Sequence, residues 1–243
     1  MIDKSVRPGE VVKIFIGFDQ VEAVAYHVLS HSIISRASVP VAIYPVKRSM
    51  LKAIHDRPID DKQSNEFSFT RFLVPYLSGY KGVSIFMDCD MLVRCDIKEL
   101  IDQVDLFGTA VSVVKHQYTP RDEIKYLGTV QYKYERKNWS SVIVFNNSHS
   151  ACKRLTPEYV NTASGLELHQ FKWCKDEQIG ELGPEWNHLV SEYPPNPDAK
   201  IVHYTVGTPC FNEFRNCEFG DEWYEERQLM LHALQIEDIE IVV

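Results

Sequence analysis

The sequence predicts an α/β fold in which a mainly parallel central sheet carries helices on both faces. Apolar runs of strand length, rich in β-branched residues, alternate along the chain with segments whose apolar residues recur at helical spacing. That alternation is typical of parallel sheets, because crossover helices must connect strands that run in the same direction. Several strand-like runs end on a charged residue. Ligands of such sheets bind beyond the carboxyl ends of the strands, so functional residues are expected there.

The first half of the chain contains three predicted strands and two predicted helices. The run VVKIFIGFD is apolar and ends in a Gly-Phe-Asp turn, and the later run GVSIFMD also ends on an aspartate. We expect Pro75 to interrupt the second helix, since proline lacks the N–H that a helix interior needs. The predicted strands cover residues 11–19, 39–46 and 82–88, and the predicted helices cover residues 21–33 and 69–77.

The second half continues the alternation around one long polar segment. Residues 116–137 are tyrosine-rich and show no clear period, which predicts a loop or flap. Further strands are predicted at residues 107–115, 140–147 and 200–207, and helices at residues 96–101, 176–182 and 221–234, with helical patterning also through Tyr159.

Composition narrows the class of protein. The 243 residues suit one α/β domain, and the net charge of −8 argues against a nucleic-acid partner, which requires clustered basic residues. The six cysteines are irregularly spaced, which favours reduced thiols over a zinc site or a disulfide framework. No apolar run reaches the length of a signal peptide or a membrane span. We therefore expect a cytoplasmic protein without a transmembrane segment, able to reach a membrane acceptor peripherally from the inner face.

Asp88-Cys89-Asp90 follows the third predicted strand and is the sharpest chemical signal. In an extended chain, side chains two positions apart point to the same side, so the two carboxylates can converge on one hard cation. Such a cation neutralises a diphosphate leaving group. The alternative is a solvated turn at the strand end, where aspartates are common.

The stretch FSFTRFLVPYLSGYKGVSIFMDCDMLVRCDIKEL resembles the central motif of GT-A-fold glycosyltransferases of the family 8 type. In those enzymes an arginine-bearing helix precedes the strand that delivers the Asp-x-Asp. Other segments resemble that family in the same order, across residues 11–211: IFIGFDQVEA, WSSVIVFNN, KDEQIGEL and IVHYTVGTP. The resemblance implies a retaining transferase that uses a nucleoside-diphosphate sugar, most often a UDP-sugar, and a glycan or glycolipid acceptor.

The resemblance also implies roles for single residues. Asp19 would contact the nucleobase, and Arg71 would support the donor diphosphate beside Asp88. His203 would complete the metal site of Asp88 and Asp90, which would hold Mn²⁺ or Mg²⁺. From the residues alone, Asp19 is equally a helix cap. Arg71 could form a surface ion pair, although an arginine on an otherwise apolar helix suits that role less well, and a lone strand histidine such as His203 is more often a hydrogen-bonded core residue than a ligand.

The donor-sugar segment departs from the family pattern. Trp139 and Ser140 stand where the family has an Asn-Ala-Gly sequence, so the sugar subsite is expected to be reshaped around them. After the late His-Tyr, the family's usual Gly-x-x-Lys-Pro is replaced by Val206-Gly207-Thr208-Pro209, so the resemblance places Gly207 near the nucleotide while the diphosphate-clamping lysine is missing. Its charge could come from Lys115, Arg71 or Arg94, between which the sequence does not choose.

Asp176 and Glu177 are the catalytic candidates, since they match the family segment beside the reacting carbon. One carboxylate there would steady an oxocarbenium-like centre or attack it. The alternative is that the pair only compensates a helix dipole. Lys115 and His116 end the fourth strand and are predicted to orient the acceptor, or else merely to close the strand.

Three other functions are alternatives to the transferase. A haloacid-dehalogenase-type phosphatase would use Asp88 as nucleophile and Asp90 as general acid, but its motif normally lies near the N-terminus. A sugar nucleotidyltransferase needs a glycine-rich basic loop after the first strand, which GFDQVEA does not supply. The third rival is a non-catalytic sugar-nucleotide-binding module.

The predicted organisation is a single GT-A-like catalytic domain over residues 1–243. Residues 11–115 would form the nucleotide- and metal-binding part, residues 116–211 the acceptor and catalytic part, and residues 221–235 a C-terminal helix. The sequence does not indicate an oligomeric state, because that helix suits either a core or an interface.

Overall fold

The computed structural model describes residues 11–59, 63, 65–120 and 134–232. The strands are β1 (Val12–Phe18), β2 (Val41–Lys47), β3 (Val83–Met87), β4 (Met91–Val93), β5 (Val111–Val114), β6 (Val142–Asn146), β7 (Ile179–Leu182), β8 (His188–Leu189) and β9 (Ile201–His203). The α-helices are α1 (Ala23–Arg36), α2 (Val74–Leu77), α3 (Lys98–Gln103), α4 (Pro157–Thr162), α5 (Gly165–His169) and α6 (Gly220–His232). Short 3₁₀ turns join several of them, including Thr70–Leu73 directly before α2.

The larger sheet has six strands in the order β2-β1-β3-β6-β5-β7. Every strand pairs parallel to its neighbour except β6, which runs antiparallel to β3 and β5. The central strands are buried along nearly their whole length, as expected when both faces of a sheet are covered. The α/β fold with a mainly parallel sheet and helices on both faces is confirmed.

A smaller sheet in the order β4-β9-β8 lies beside the first and was not predicted as a sheet. Strand β4 begins directly after Asp90 and pairs antiparallel with β9, in a register that places Met91 opposite His203. Strand β8 joins the other side of β9 in parallel. This small sheet brings the middle of the chain and its late segment together at the end of β3.

Residues 176–182 were predicted to be helical, and that prediction is wrong. They form a 3₁₀ turn at Asp176–Gln178 followed by β7, which pairs parallel with β5. Ile179 and Leu182 are both buried, and their spacing of three imitates a helix. Gly180 allows the close approach of β5, because a Cβ there would lie 2.7 Å from Ser112 Oγ.

The remaining helices lie close to their predicted positions. The buried residues of α1 recur at helical spacing, and Pro75 falls in the first turn of α2 rather than interrupting it. Helix α6 packs on α1 through buried Trp223 and through Glu226, which lies 2.7 Å from Arg36 Nη1. Of the predicted flap at residues 116–137, residues 121–133 lie outside the described part. Among the helices that the structure describes, none has the length and apolar composition needed to cross a bilayer.

Candidate functional site

Asp88, Asp90 and His203 converge at the end of β3. Each offers one ligand atom, and these three atoms lie within 4.8 Å of one another. The convergence follows from the fold, because Asp88 ends the run of β3 while Asp90 and His203 are held together by the β4–β9 pairing. The Tyr204 backbone N–H donates to the Asp90 carbonyl oxygen at 2.9 Å, which closes this ladder. The predicted juxtaposition of the three residues is therefore present.

Arg71 lies against Asp88 in the interior. Its Nη1 is 2.7 Å from Asp88 Oδ1, and the same nitrogen donates to the Ser140 carbonyl oxygen at 2.8 Å. The guanidinium also stacks over the rings of Phe67 and Phe86. Since both charged side chains are largely removed from water, each needs the other as a partner. Arg71 is thus a buried component of the site and not a surface ion pair.

His203 faces Asp90 with one nitrogen of its ring. His203 Nε2 lies 3.3 Å from Asp90 Oδ1, with side-chain exposures of 2% and 13%. Two carboxylates and one imidazole form an oxygen-rich donor set that suits Mn²⁺ or Mg²⁺ better than softer metals. The three residues therefore fit the divalent ion that the sequence predicts.

Asp19 ends β1 as predicted and is buried. Its Oδ1 accepts from the Val21 N–H at 3.0 Å, and its Oδ2 accepts from the Glu66 N–H at 3.1 Å. The side chain therefore shapes both the turn into α1 and the segment that leads to Arg71. Its predicted nucleobase contact stays a prediction.

Trp139 and Ser140 lie at the entry to β6, and the Ser140 carbonyl oxygen contacts Arg71. Trp139 Nε1 donates to the His116 carbonyl oxygen at 2.8 Å, and Ser140 Oγ lies 2.7 Å from His169 Nδ1. Burial, with the Arg71 guanidinium acting in the same direction, lowers the pKa of His169 to about 3, so this imidazole is neutral at pH 7. Both residues are consequently held in fixed orientations around Arg71.

Lys115 and His116 follow β5, on the same edge of the sheet as Asp88. Lys115 Nζ is 3.9 Å from Glu181 Oε2. His116 is buried, and its Nδ1 is 3.2 Å from the Tyr193 hydroxyl, while its Nε2 has no hydrogen-bond partner among the described residues. Burial, with the neighbouring imidazoles of His203 and His188 acting in the same direction, lowers the pKa of His116 to about 3.

An aromatic cavity opens next to His116. Tyr118 contacts the His116 ring edge-on, and Tyr134 and Trp139 line the same cavity. Asn138 Nδ2 donates to the Tyr118 hydroxyl at 2.8 Å, which ties this wall to the entry of β6. Aromatic faces with fixed polar groups are suited to sugar rings.

Asp176 and Glu177 are placed differently from the other predicted site residues. They precede β7 and so lie where a parallel strand begins, whereas Asp88 lies where β3 ends. Asp176 Oδ1 accepts from Arg136 Nη2 at 2.8 Å, and Glu177 Oε1 is 3.8 Å from Lys175 Nζ. The structure does not bring them into the Asp88–Asp90–His203 group.

The structure also shows the surroundings of Gly207 and of the basic residues that could replace the missing diphosphate-clamping lysine. A Cβ at Gly207 would lie 2.3 Å from the Phe214 ring, so a larger residue there would force that ring to move. Arg94 pairs with Glu222, at 2.7 Å between Nε and Oε2. Of the three candidate cations, Arg71 is the one that contacts Asp88.

Sequence reasoning missed Asn187, which lies behind His203. Its Oδ1 is 3.0 Å from His203 Nδ1, and the residue is fully buried. It falls in the segment PEWNHL, between a 3₁₀ turn and the two-residue strand β8, where no periodic pattern marks a strand. An asparagine between Trp186 and His188 has no feature in the sequence that marks it as buried or functional.

Comparison with known proteins gives one sequence relative and several structural neighbours. No protein-family model matches the chain. The chain is 45% identical to Protein CDI of Arabidopsis thaliana over 223 residues, covering 89% of this chain and 86% of that protein.

The structural neighbours are glycosyltransferases. The bifunctional glycosyltransferase WbbM superposes with a TM-score of 0.64 at 17% identity, covering 92% of this chain and 51% of WbbM. GlyE of Streptococcus pneumoniae TIGR4 gives 0.59 at 14% identity, covering 92% and 62%. The galactosyltransferase LgtC, solved with donor and acceptor sugar analogues, gives 0.55 at 13% identity, covering 90% and 96%. The chain thus spans about half of WbbM, and it has the GT-A fold of these enzymes.

Proposed function

We propose that this chain, which belongs to the same family as Protein CDI of Arabidopsis thaliana, is a divalent-metal-dependent glycosyltransferase. It would move a sugar from a nucleoside-diphosphate donor, a UDP-sugar by preference, to a glycan or glycolipid acceptor. The observation that carries the proposal is the group of Asp88, Asp90 and His203 at the carboxyl edge of a GT-A sheet. In open α/β sheets that edge is where ligands bind.

Asp88, Asp90 and His203 would hold Mn²⁺ or Mg²⁺. When bound, such an ion neutralises the charge that develops on a departing diphosphate. Arg71 is proposed to supply a second, permanent positive charge to the donor phosphates, in place of the missing lysine. The Ser140 carbonyl and the rings of Phe67 and Phe86 fix its guanidinium, so little reorganisation is needed when the donor binds.

The other predicted residues are proposed in supporting roles. Asp19 would lie at the nucleobase, with Gly207 nearby, and Trp139 and Ser140 would border the donor sugar. Lys115 and His116 would orient the acceptor. The neutral imidazole of His116 can form a hydrogen bond with a sugar hydroxyl through Nε2, which has no partner among the described residues.

Asp176 and Glu177 are proposed to act on the reacting carbon through charge rather than by covalent attack. Their proposed place at the reacting carbon rests on the family resemblance, and so does the proposed retention of anomeric configuration. Both are exposed, and both already contact a basic side chain. A carboxylate that keeps its hydration shell is a poorer nucleophile than a desolvated one, so an electrostatic role fits them better.

The phosphatase alternative is not favoured. It would require Asp88 to be a free nucleophile, whereas Asp88 Oδ1 is 2.7 Å from Arg71 Nη1 in the interior. The fold is also that of the glycosyltransferase neighbours.

The proposal is tested by donor turnover. A panel of nucleoside-diphosphate sugars is incubated with the purified chain, with Mn²⁺ or with chelator, and release of the nucleoside diphosphate is measured. We expect release from one donor only with metal, and none from the Asp90→Asn variant. Asp102→Asn is the matched control, because Asp102 is an exposed partner of Lys98 on α3. Metal-independent release of phosphate from simple phosphoesters, without donor turnover, would favour the phosphatase instead.

A further inference from the structure

Asn187 contacts the ring nitrogen of His203 that does not face Asp90. Asn187 Oδ1 is 3.0 Å from His203 Nδ1, while His203 Nε2 is 3.3 Å from Asp90 Oδ1. Asn187 is completely buried, and it lies between a 3₁₀ turn and β8, outside the elements that carry the metal-binding residues. A buried amide must satisfy its hydrogen bonds locally, so its neighbours determine which way it points.

The neighbours of Asn187 fix the orientation of its amide. Its Nδ2 is 2.8 Å from Ser141 Oγ and 3.3 Å from the Asn138 carbonyl oxygen. Ser141 Oγ itself donates to that carbonyl oxygen at 2.7 Å, which uses its only proton. Both atoms that face this end of Asn187 can therefore only accept, so this end must be the NH₂ group. The amide oxygen consequently faces His203.

The orientation of Asn187 determines where the His203 proton lies. Because an amide oxygen only accepts, Nδ1 of His203 must carry the hydrogen of that bond. A neutral His203 then has a lone pair on Nε2, directed at a carboxylate oxygen 3.3 Å away. Two acceptors at that distance repel each other unless a proton or a metal cation lies between them. The hydrogen bond that Asn187 accepts from Nδ1 thus leaves Nε2 free to bind a metal ion.

We propose that Asn187 is a positioning residue of the metal site, fixing the Nδ1–H tautomer and the ring orientation of His203. The role rests on the proposed function, since it acts on the same cation. The network also reaches the other side of the site, because the Ser141 carbonyl oxygen accepts from the Asp88 backbone N–H at 2.9 Å. Ser141 therefore links the orientation of His203 to the position of Asp88.

The test compares two variants that lose the same donated hydrogen bonds. Asn187→Ala removes the acceptor opposite Nδ1, whereas Asn187→Asp keeps an oxygen there and loses only the NH₂ group. Mn²⁺ affinity of the metal-free chain is measured by calorimetry. We expect a loss of about 10–100-fold for Asn187→Ala, as for other outer partners of metal-binding histidines. Asn187→Asp should stay within about threefold of the wild type, since a carboxylate also accepts from Nδ1.

Asn147→Ala is the matched control for removing a buried asparagine. Asn147 is also fully buried and donates to Ser84 Oγ at 3.0 Å, but it follows the far end of β6. It should lower stability and leave Mn²⁺ affinity unchanged. Unchanged affinity in Asn187→Ala would overturn the role, as would equal losses in Asn187→Ala and Asn187→Asp. No Mn²⁺ binding by the wild-type chain would overturn the metal site itself, and the role of Asn187 with it.

A second measurement needs no variant at Asn187. Long-range ¹H–¹⁵N spectra of the wild-type chain with Mg²⁺ report which ring nitrogen of each histidine carries hydrogen, and His203→Gln assigns the signal. We expect His203 to carry hydrogen on Nδ1. Hydrogen on Nε2 alone would contradict the proposal, whether or not Asn187→Ala folds.

Discussion

Two pairs of acidic residues lie next to strands of the larger sheet, and they differ sharply in their surroundings. Asp88 and Asp90 have side-chain exposures of 11% and 13%, and buried groups from other elements contact them. Asp176 and Glu177 have exposures of 80% and 72%, and they meet Arg136 and Lys175 at the surface. Burying charge costs several kcal/mol per ion unless partners compensate it, whereas exposed carboxylates cost little. The first pair is therefore retained against a penalty, which indicates function.

The two pairs also differ in how the backbone holds the carboxylates in place. Asp88 is held by the end of β3, and Asp90 is held by the pairing of β4 with β9. At Asp176 and Glu177 a single 3₁₀ turn presents the side chains to water. Preorganised charge is what transition-state stabilisation needs, so the first pair should dominate activity and the second should modulate it.

The largest expected effect concerns Arg71, whose removal leaves the Asp88 charge buried without its main partner. In chelator, Arg71→Met should lower the free energy of unfolding by about 3–5 kcal/mol, as breaking buried ion pairs does. Urea denaturation measures it. Arg71→Met combined with Asp88→Asn should recover part of the loss, because no buried charge is then left uncompensated. A loss below about 1 kcal/mol in Arg71→Met alone would mean that water solvates the Arg71–Asp88 pair. Asp88 would then not differ from the exposed carboxylates Asp176 and Glu177 in its access to water.

The next effect concerns Asp90. Asp90→Asn keeps the shape of the side chain but removes its charge, and it should weaken Mn²⁺ binding by at least about 100-fold, the upper end of what losing an outer partner costs. Isothermal titration of Mn²⁺ checks this, with Asp102→Asn expected to match the wild type. Equal affinity in both variants would show that the cluster is not the metal site.

A smaller effect is expected from His169, which lies behind Ser140 and Arg71. Its folded-state pKa of about 3 lies below its ordinary value of 6.5, so the unfolded chain takes up the proton first as the pH falls. Its stabilising contribution is complete above pH 6.5 and is lost progressively towards pH 3, with a slope of at most about 1.4 kcal/mol per pH unit. Urea midpoints from pH 7 to pH 4 measure the slope, which His169→Gln should reduce. The same slope in His169→Gln and in the wild type would contradict the assignment.

The smallest effect is expected at the exposed pair. Glu177→Gln and Asp176→Asn should each lower kcat by less than about tenfold, since surface charge is screened and its removal leaves no buried group unpaired. Donor turnover under saturating Mn²⁺ is the measurement. A loss of kcat close to that of Asp90→Asn would show that one of these carboxylates is shielded from water beside the reacting carbon during turnover. The exposed pair would then matter as much for activity as the buried pair.

The sequence predicts the parts of this site that depend on local spacing. Asp88 and Asp90 are two residues apart at the end of an apolar strand, and that pattern alone brings them together. His203 needed the family resemblance, because its partner strand β4 lies over a hundred residues earlier and is only three residues long. Arg71 was predicted at the diphosphate, but its burial against Phe67 and Phe86 depends on tertiary packing.

Other features left no readable trace in the sequence. Strand β7 follows its 3₁₀ turn with buried residues three apart, which imitates a helix, and only its pairing with β5 decides the outcome. Asn187 acts through a hydrogen bond to a residue on another strand, and no period or spacing marks it. Contacts made across the fold are therefore the part that the sequence does not predict.

The most direct test of the account is the binding of UDP to the metal-free chain, titrated by calorimetry with Mn²⁺ and then with chelator. We expect binding that requires Mn²⁺, disappears in Asp90→Asn and persists in Asp102→Asn. UDP binding of equal strength in chelator, or its persistence in Asp90→Asn, would contradict the claim that Asp88, Asp90 and His203 hold the cation that binds the donor diphosphate.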